Sequence, residues 1–149
     1  MKVRFRVADR TDLEAVLHLL SDDELGASRE VAPLSVYQEG YDRMIDEGMS
    51  LLIVGESPDR IVATYQITFI SGISLRAARR AHLEGVRVAS NLRGTGIGTR
   101  LIEDAESRAR AAGCTLLQLH SDATRQRARS FYEARGFTPS HIGFKRRLL

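Results

Sequence analysis

The run Arg93-Gly94-Thr95-Gly96-Ile97-Gly98, with an amphipathic helix pattern directly behind it, constrains this chain more than any other stretch. Three glycines in five positions remove side chains from a turn that something must approach closely. The helix start behind them offers unpaired N–H groups and the positive end of a dipole. Together they make a seat for an anion, most naturally a phosphate. The spacing excludes two other glycine loops. No Gly-Lys-Ser/Thr follows, as a P-loop requires. Thr99 stands where the dinucleotide fingerprint places its third glycine, which falls one residue early at Gly98.

Around that loop the chain reads as one mixed α/β domain in the order β-α-α-β-β-β-α-β-α-β. Val3-Arg4-Phe5-Arg6-Val7 alternates as a half-buried strand. Thr11 and Glu14 have the spacing of a capping box, and Leu13, Val16, Leu17 and Leu20 give a first helical stripe. Residues 21–34 read as an acidic connection, and a second helix spans Ser35 to Glu47, closed by Gly48. Strands follow at Leu51–Val54 and Ile61–Phe69, then an arginine-rich loop and the strand Ala81–Val88. Gly85 inside that last strand predicts a bulge or a close backbone approach. The helix behind the glycine loop carries Ile97, Leu101, Ile102, Ala105, Ala109 and Ala112 on one side and stops at Gly113. A strand at Thr115–His120, a helix from Thr124 to Arg135 ending at Gly136, and a final strand over Ser140–Leu149 complete the reading.

At 149 residues, 43% hydrophobic and 28% charged, the composition is that of a globular domain with a real core. No apolar run reaches the ~20 residues of a membrane span, and the N-terminus lacks the apolar centre of a signal peptide. One cysteine, Cys114, rules out an internal disulfide and reads as a small buried thiol. The expected location is therefore the cytoplasm. Charge is divided unevenly: residues 1–75 carry 7 basic and 13 acidic side chains, residues 76–149 carry 15 and 6. Such a split suits an anionic ligand on one side and a cationic one on the other. Nucleic-acid recognition is not expected, since the basic half lacks interleaved aromatics beyond Phe131, Tyr132, Phe137 and Phe144. His18, His120 and His141 show no ligand spacing, so no metal is expected.

The element order, the segment Glu84-Gly85-Val86-Arg87-Val88 leading into the glycine loop, and the later Ala128-Arg129-Ser130-Phe131-Tyr132-Glu133-Ala134-Arg135-Gly136-Phe137 resemble the GNAT N-acetyltransferases. The likeness spans essentially the whole chain and is strongest over residues 81–144. It implies an acyl-CoA N-acyltransferase fold: a central, mostly antiparallel sheet splayed between its fourth and fifth strands, with four helices. It also implies acetyl-CoA as cosubstrate, direct acetyl transfer to a primary amine in a ternary complex, and a homodimer. The pyrophosphate would lie on Arg93, Gly94, Thr95, Gly96, Ile97, Gly98 and Thr99, and the pantetheine arm on the main chain of Val86, Arg87 and Val88. Arg127 and Phe131 fall beside the cofactor. Tyr132 matches the family's general acid and Glu84 its general base, with His82 on the same strand face. One departure stands out: many members have Asn where this chain has Arg125.

For the acceptor, Asp22, Asp23 and Glu24 suggest a small cationic amine drawn in by carboxylates. Arg76, Arg79 and Arg80 suggest the opposite, an acceptor with a phosphonate or carboxylate. A non-catalytic acyl-CoA-binding or regulatory module, and a protein N-terminal or lysine acetyltransferase, are the alternatives.

Overall fold

The strands form where the sequence alternates. β1 (Arg4–Val7), β2 (Ser50–Glu56), β3 (Ile61–Ile70) and β4 (Arg80–Val88) pair antiparallel in chain order, and β5 (Leu116–Leu119) joins β4 in parallel. In this computed structural model the backbone of all 149 residues and every side chain except that of Glu24 are described. The helices are α1 (Leu13–Leu20), α2 (Glu24–Arg29), α3 (Leu34–Glu47), a single turn α4 (Ser74–Ala77), α5 (Ile97–Ala111) and α6 (Gln126–Ala134). None is long and apolar enough to cross a membrane.

α5 covers one face of the sheet. Tyr65, Ile67, Ala81 and Leu83 are fully buried there against Ile97, Leu101, Ile102, Ala105 and Ala109, the stripe expected from the sequence. A buried leucine or isoleucine contributes about 1.5–3 kcal/mol. Tyr65 brings a polar tip into the core on that face. Its hydroxyl donates to Asp104 at 2.6 Å, and Asp104 is held by Arg108 at 2.8 Å. The other face carries α1 and α3, and Val16 packs there on Ala8 and Val54, the neighbour of Ile53 that points the opposite way.

Four expectations change. The cap at the first helix is Asp9, not Thr11. Asp9 accepts from the Thr11 amide, and Asp12 accepts from the Asp9 amide, so a 3-10 turn over Arg10–Asp12 precedes α1. An aspartate two residues earlier captures the free N–H groups first. The acidic connection contains α2, capped by Asp23, whose carboxylate accepts from the Gly26 amide. The arginine-rich loop contains a left-handed turn, with Leu75, Arg76 and Ala77 at φ of 56°, 59° and 58°. The final strand does not form: residues 135–149 have no ladder partner, and Ile142 and Phe144 are 81% and 92% exposed. An alternating segment becomes a strand only when another edge accepts its hydrogen bonds.

Two irregularities place the site. The β4–β5 ladder runs from Arg80↔Leu116 to Leu83↔Leu119 and stops, so β4 from Glu84 onward has no partner on that side. On the other side, Thr64 pairs with Arg87 and Gln66 with Glu84, so Tyr65 faces both Gly85 and Val86. This is the bulge expected at Gly85, whose φ of 61° is a conformation that glycine tolerates and a side chain resists.

Candidate active site

The splay between β4 and β5 leaves the β4 main chain along Gly85–Val88 without a strand partner on the β5 side, and the Val86 and Val88 carbonyls accept from the side chains of Arg87 and Arg93. Such an edge can take an extended amide-bearing chain as an added strand. Val86 and Val88 turn their side chains into the α5 core, so only their main chain is offered to the cleft. The glycine loop continues from that edge. Gly94 and Gly96 have φ of 80° and 90°, and Gly96 is the N-cap of α5. A Cβ at Gly96 would meet nothing within 4 Å, so the N–H groups of the first turn face an open approach. Thr95 folds its hydroxyl onto the Leu92 carbonyl, and Ile97 is buried, leaving its amide as the group it can present. This arrangement fits a phosphate or pyrophosphate.

The loop's cationic surroundings differ from expectation. Arg93 donates to the carbonyls of Val88 (3.3 Å) and Asp22 (3.4 Å), tying the loop to the end of α1. Arg127 is exposed and, among the described residues, makes no ion pair or hydrogen bond. Sequence reasoning missed Arg135, which donates to the Thr99 hydroxyl at 2.6 Å and stacks over the Phe131 ring. The long sequence separation between residues 99 and 135 hides that contact. Phe131 closes the α5 start from the other side, with ring atoms 3.2 Å from where a Cβ on Gly98 would lie.

Three further candidates are Glu84, the first β4 residue past the β5 ladder, His82 within that ladder, and Tyr132 on α6. Tyr132 meets Phe131 and Phe137 edge-on, with centroids 5.4 and 5.8 Å apart. Among the described residues its hydroxyl has no hydrogen-bond partner. Burial pushes that hydroxyl above the ordinary tyrosine value, against the pull of Arg87 and Arg125. Glu84 is exposed and, among the described residues, unpaired, opposite Gln66; His82, two residues earlier on the same face, lies opposite Thr68. The His82 ring is 5.1 Å from that of His120 at the end of β5. Burial holds His82 below the ordinary imidazole value, Glu84 opposing and His120 assisting. Among the described residues no group of three or more His, Cys, Asp or Glu side chains is placed to hold a metal.

The carboxylates expected to attract a cation are already engaged. Asp22 accepts from the Ser90 amide and hydroxyl, which lower its pKa. Asp23 has Arg125 at 3.2 Å and Arg87 at 3.6 Å. Glu24 lies outside the described side chains. Folding thus brings Ser90 to the Asp22 carboxylate and two arginines from distant segments to Asp23. Two of the loop arginines are likewise occupied. Arg79 donates to Ala112 and Ser71 and stacks on Phe69, and Arg80 donates to Gln118.

The sequence matches the Acetyltransferase (GNAT) family over residues 13–137. The chain belongs to that family of acyltransferases. It superposes on a transcriptional regulator from Bacillus halodurans C-125 with a TM-score of 0.91 at 38% identity, over 99% of this chain and 100% of that one. The glucosamine-6-phosphate N-acetyltransferase of Arabidopsis thaliana superposes at 0.76 with 21% identity, over 99% of each chain. A predicted acetyltransferase from Clostridium acetobutylicum, solved with acetyl-CoA, does so at 0.73 with 16% identity, over 97% and 96%. No curated protein matches the chain at a significant level. The family uses acetyl-CoA, and the cleft and loop just described suit its pantetheine arm and pyrophosphate.

Proposed function

We propose that the chain transfers the acetyl group of acetyl-CoA to the primary amine of a small molecule by direct attack within a ternary complex. The observation that carries this reading is the β4 stretch Gly85–Val88 left without a β5 partner, followed by the open glycine loop at Gly94 and Gly96. In this reading the amine nitrogen attacks the acetyl carbonyl, a C–N bond forms, and the C–S bond breaks. The Val86 amide stabilises the oxyanion, and Tyr132 gives its proton to the departing sulfur. Glu84 accepts the proton lost by the amine, with the neutral His82 imidazole beside it. Loop amides Gly94–Thr99, Arg93 and Arg135 hold the pyrophosphate, with Phe131 against the loop; Arg127 is a further cofactor contact. The exposed apolar side chains Ile142 and Phe144 are the surface a second copy would cover in a homodimer.

The test combines pure protein with acetyl-CoA and a panel of primary amines, read as free thiol and as acetylated product by mass spectrometry. Acetylated amine supports the reading. The relative named a transcriptional regulator favours a second one, a module that binds acyl-CoA without turnover. Saturable coenzyme A binding with no thiol released from any amine would favour that module.

A further inference from the structure

Asp23, Arg87 and Arg125 carry more positive charge than they neutralise. One oxygen of Asp23, Oδ2, serves both guanidiniums, while Oδ1 accepts from the Gly26 amide. Arg87 Nε and Arg125 Nη2 are buried and, among the described residues, have no hydrogen-bond partner. The neighbouring Arg29–Asp122 pair, 2.9 Å apart, balances itself and offers no spare carboxylate. Arginine does not shed its proton to relieve this, and an unmet charged donor out of water is costly. An incoming acid group with two or three oxygens would meet both forks.

We propose that Arg87 and Arg125 bind an acid group carried by the acceptor itself, a carboxylate, phosphonate or phosphate a few bonds from the reacting nitrogen. This rests on the acetyl-transfer reading above. The position supports it: the register puts Glu84 and Arg87 on the same face of β4, away from α5. The acceptor cleft thus has a negative end at Glu84 for the ammonium and a positive end at Arg87 and Arg125 for the acid. The competing source of anionic oxygens is the cofactor. Its pyrophosphate is served by the glycine loop at the start of α5, where Arg93 and Arg135 already stand. The departure at Arg125 then places charge recognition where many relatives have a neutral amide.

The test uses β-alanine, 2-aminoethylphosphonate, β-alaninamide and n-propylamine as acceptors, with acetyl-CoA dissociation constants measured separately by calorimetry. An acid-bearing amine should surpass both acid-free amines in kcat/KM by roughly tenfold or more, as one charge-assisted fork would give. Arg125→Gln should remove that advantage through KM, lowering kcat/KM for the acid-bearing amines roughly tenfold or more beyond any change with the amide, with acetyl-CoA affinity within about twofold; Arg125→Lys should restore part of it. Arginine Nε–Hε signals followed by NMR during titration with β-alanine and 2-aminoethylphosphonate give a readout free of turnover. Equal rates for acid and amide acceptors, or unmoved guanidinium signals with both acids, would overturn the proposal and leave acetyl transfer standing. Loss of acetyl-CoA affinity in Arg125→Gln, with acceptor preference kept, would assign the arginines to the cofactor and also overturn it. Moved signals with no amine acetylated would support the anion site while defeating the acetyl-transfer reading.

Discussion

Tyr132→Phe separates chemistry from packing cleanly, because the hydroxyl it deletes bonds to nothing among the described residues. The ring contacts with Phe131 and Phe137 survive the change, and no buried partner loses a hydrogen bond. The variant should therefore match the parent in unfolding free energy within about 0.5 kcal/mol. If the hydroxyl delivers the proton to the leaving thiolate, kcat should fall about 10²–10⁴-fold, which is about 3–5 kcal/mol of barrier. Acetyl-CoA affinity should hardly move, since the hydroxyl acts in the transition state. The pH dependence gives a second check. Burial raises the folded-state pKa of Tyr132, so the proton is held from neutral pH up past the ordinary value of about 10. Parent kcat should show no loss from this group until pH exceeds that ordinary value. The same shift adds stability below the unfolded-state pKa and gives it up as pH rises through the folded one. The assay is steady-state thiol release with the best amine, run beside calorimetric unfolding. An unchanged Tm with kcat reduced less than threefold would refute the acid role.

Three further outcomes follow from the geometry. Gly96→Glu puts a carboxylate and a left-handed side chain at the α5 N-cap, and calorimetry should find acetyl-CoA affinity reduced by roughly 100-fold or more; retained affinity would displace the phosphate seat. Tyr65→Phe removes the hydroxyl bonded to Asp104 in the core and should cost about 1–2 kcal/mol, lowering Tm by about 2–8 °C without altering acetyl-CoA affinity. NMR titration should place the His82 midpoint below the ordinary imidazole value. Because the folded pKa is the lower one, stability from this group is complete above the unfolded value and declines as pH falls through the folded one. A midpoint at or above the ordinary value would mean that Glu84, not burial, controls the ring.

What the sequence disclosed was local. The glycine loop, the α5 stripe from Ile97 to Ala109 and the Gly48 stop of α3 are written in consecutive residues, and the folded chain has them as expected. The bulge at Gly85 was readable too, because a glycine inside an alternating strand has few other uses. What stayed hidden depends on partners far away in the chain. Asp22 and Asp23 look like an acidic patch until Ser90, Arg87 and Arg125 arrive. Arg79 looks like a ligand-binding side chain until Ala112 and Phe69 take it. α2 was missed because six residues with a glycine inside carry almost no periodicity. Ser140–Leu149 has a strand's pattern, yet the chain provides it no edge.

The extra residue in β4 also resets the phase of everything after it. Between Gln66 and Thr64 the neighbouring strand advances two positions, while β4 advances three from Glu84 to Arg87. Residues three apart in an uninterrupted strand point to opposite sides. If β4 ran straight at the same length, without the bulge, Arg87 would swing into the greasy layer beneath α5 and Val86 would be thrown onto the opposite face. The bulge conformation at Gly85 is therefore what keeps Glu84 and Arg87 in phase. A side chain at position 85 that straightened the strand without shortening it would turn the two ends of the cleft away from each other.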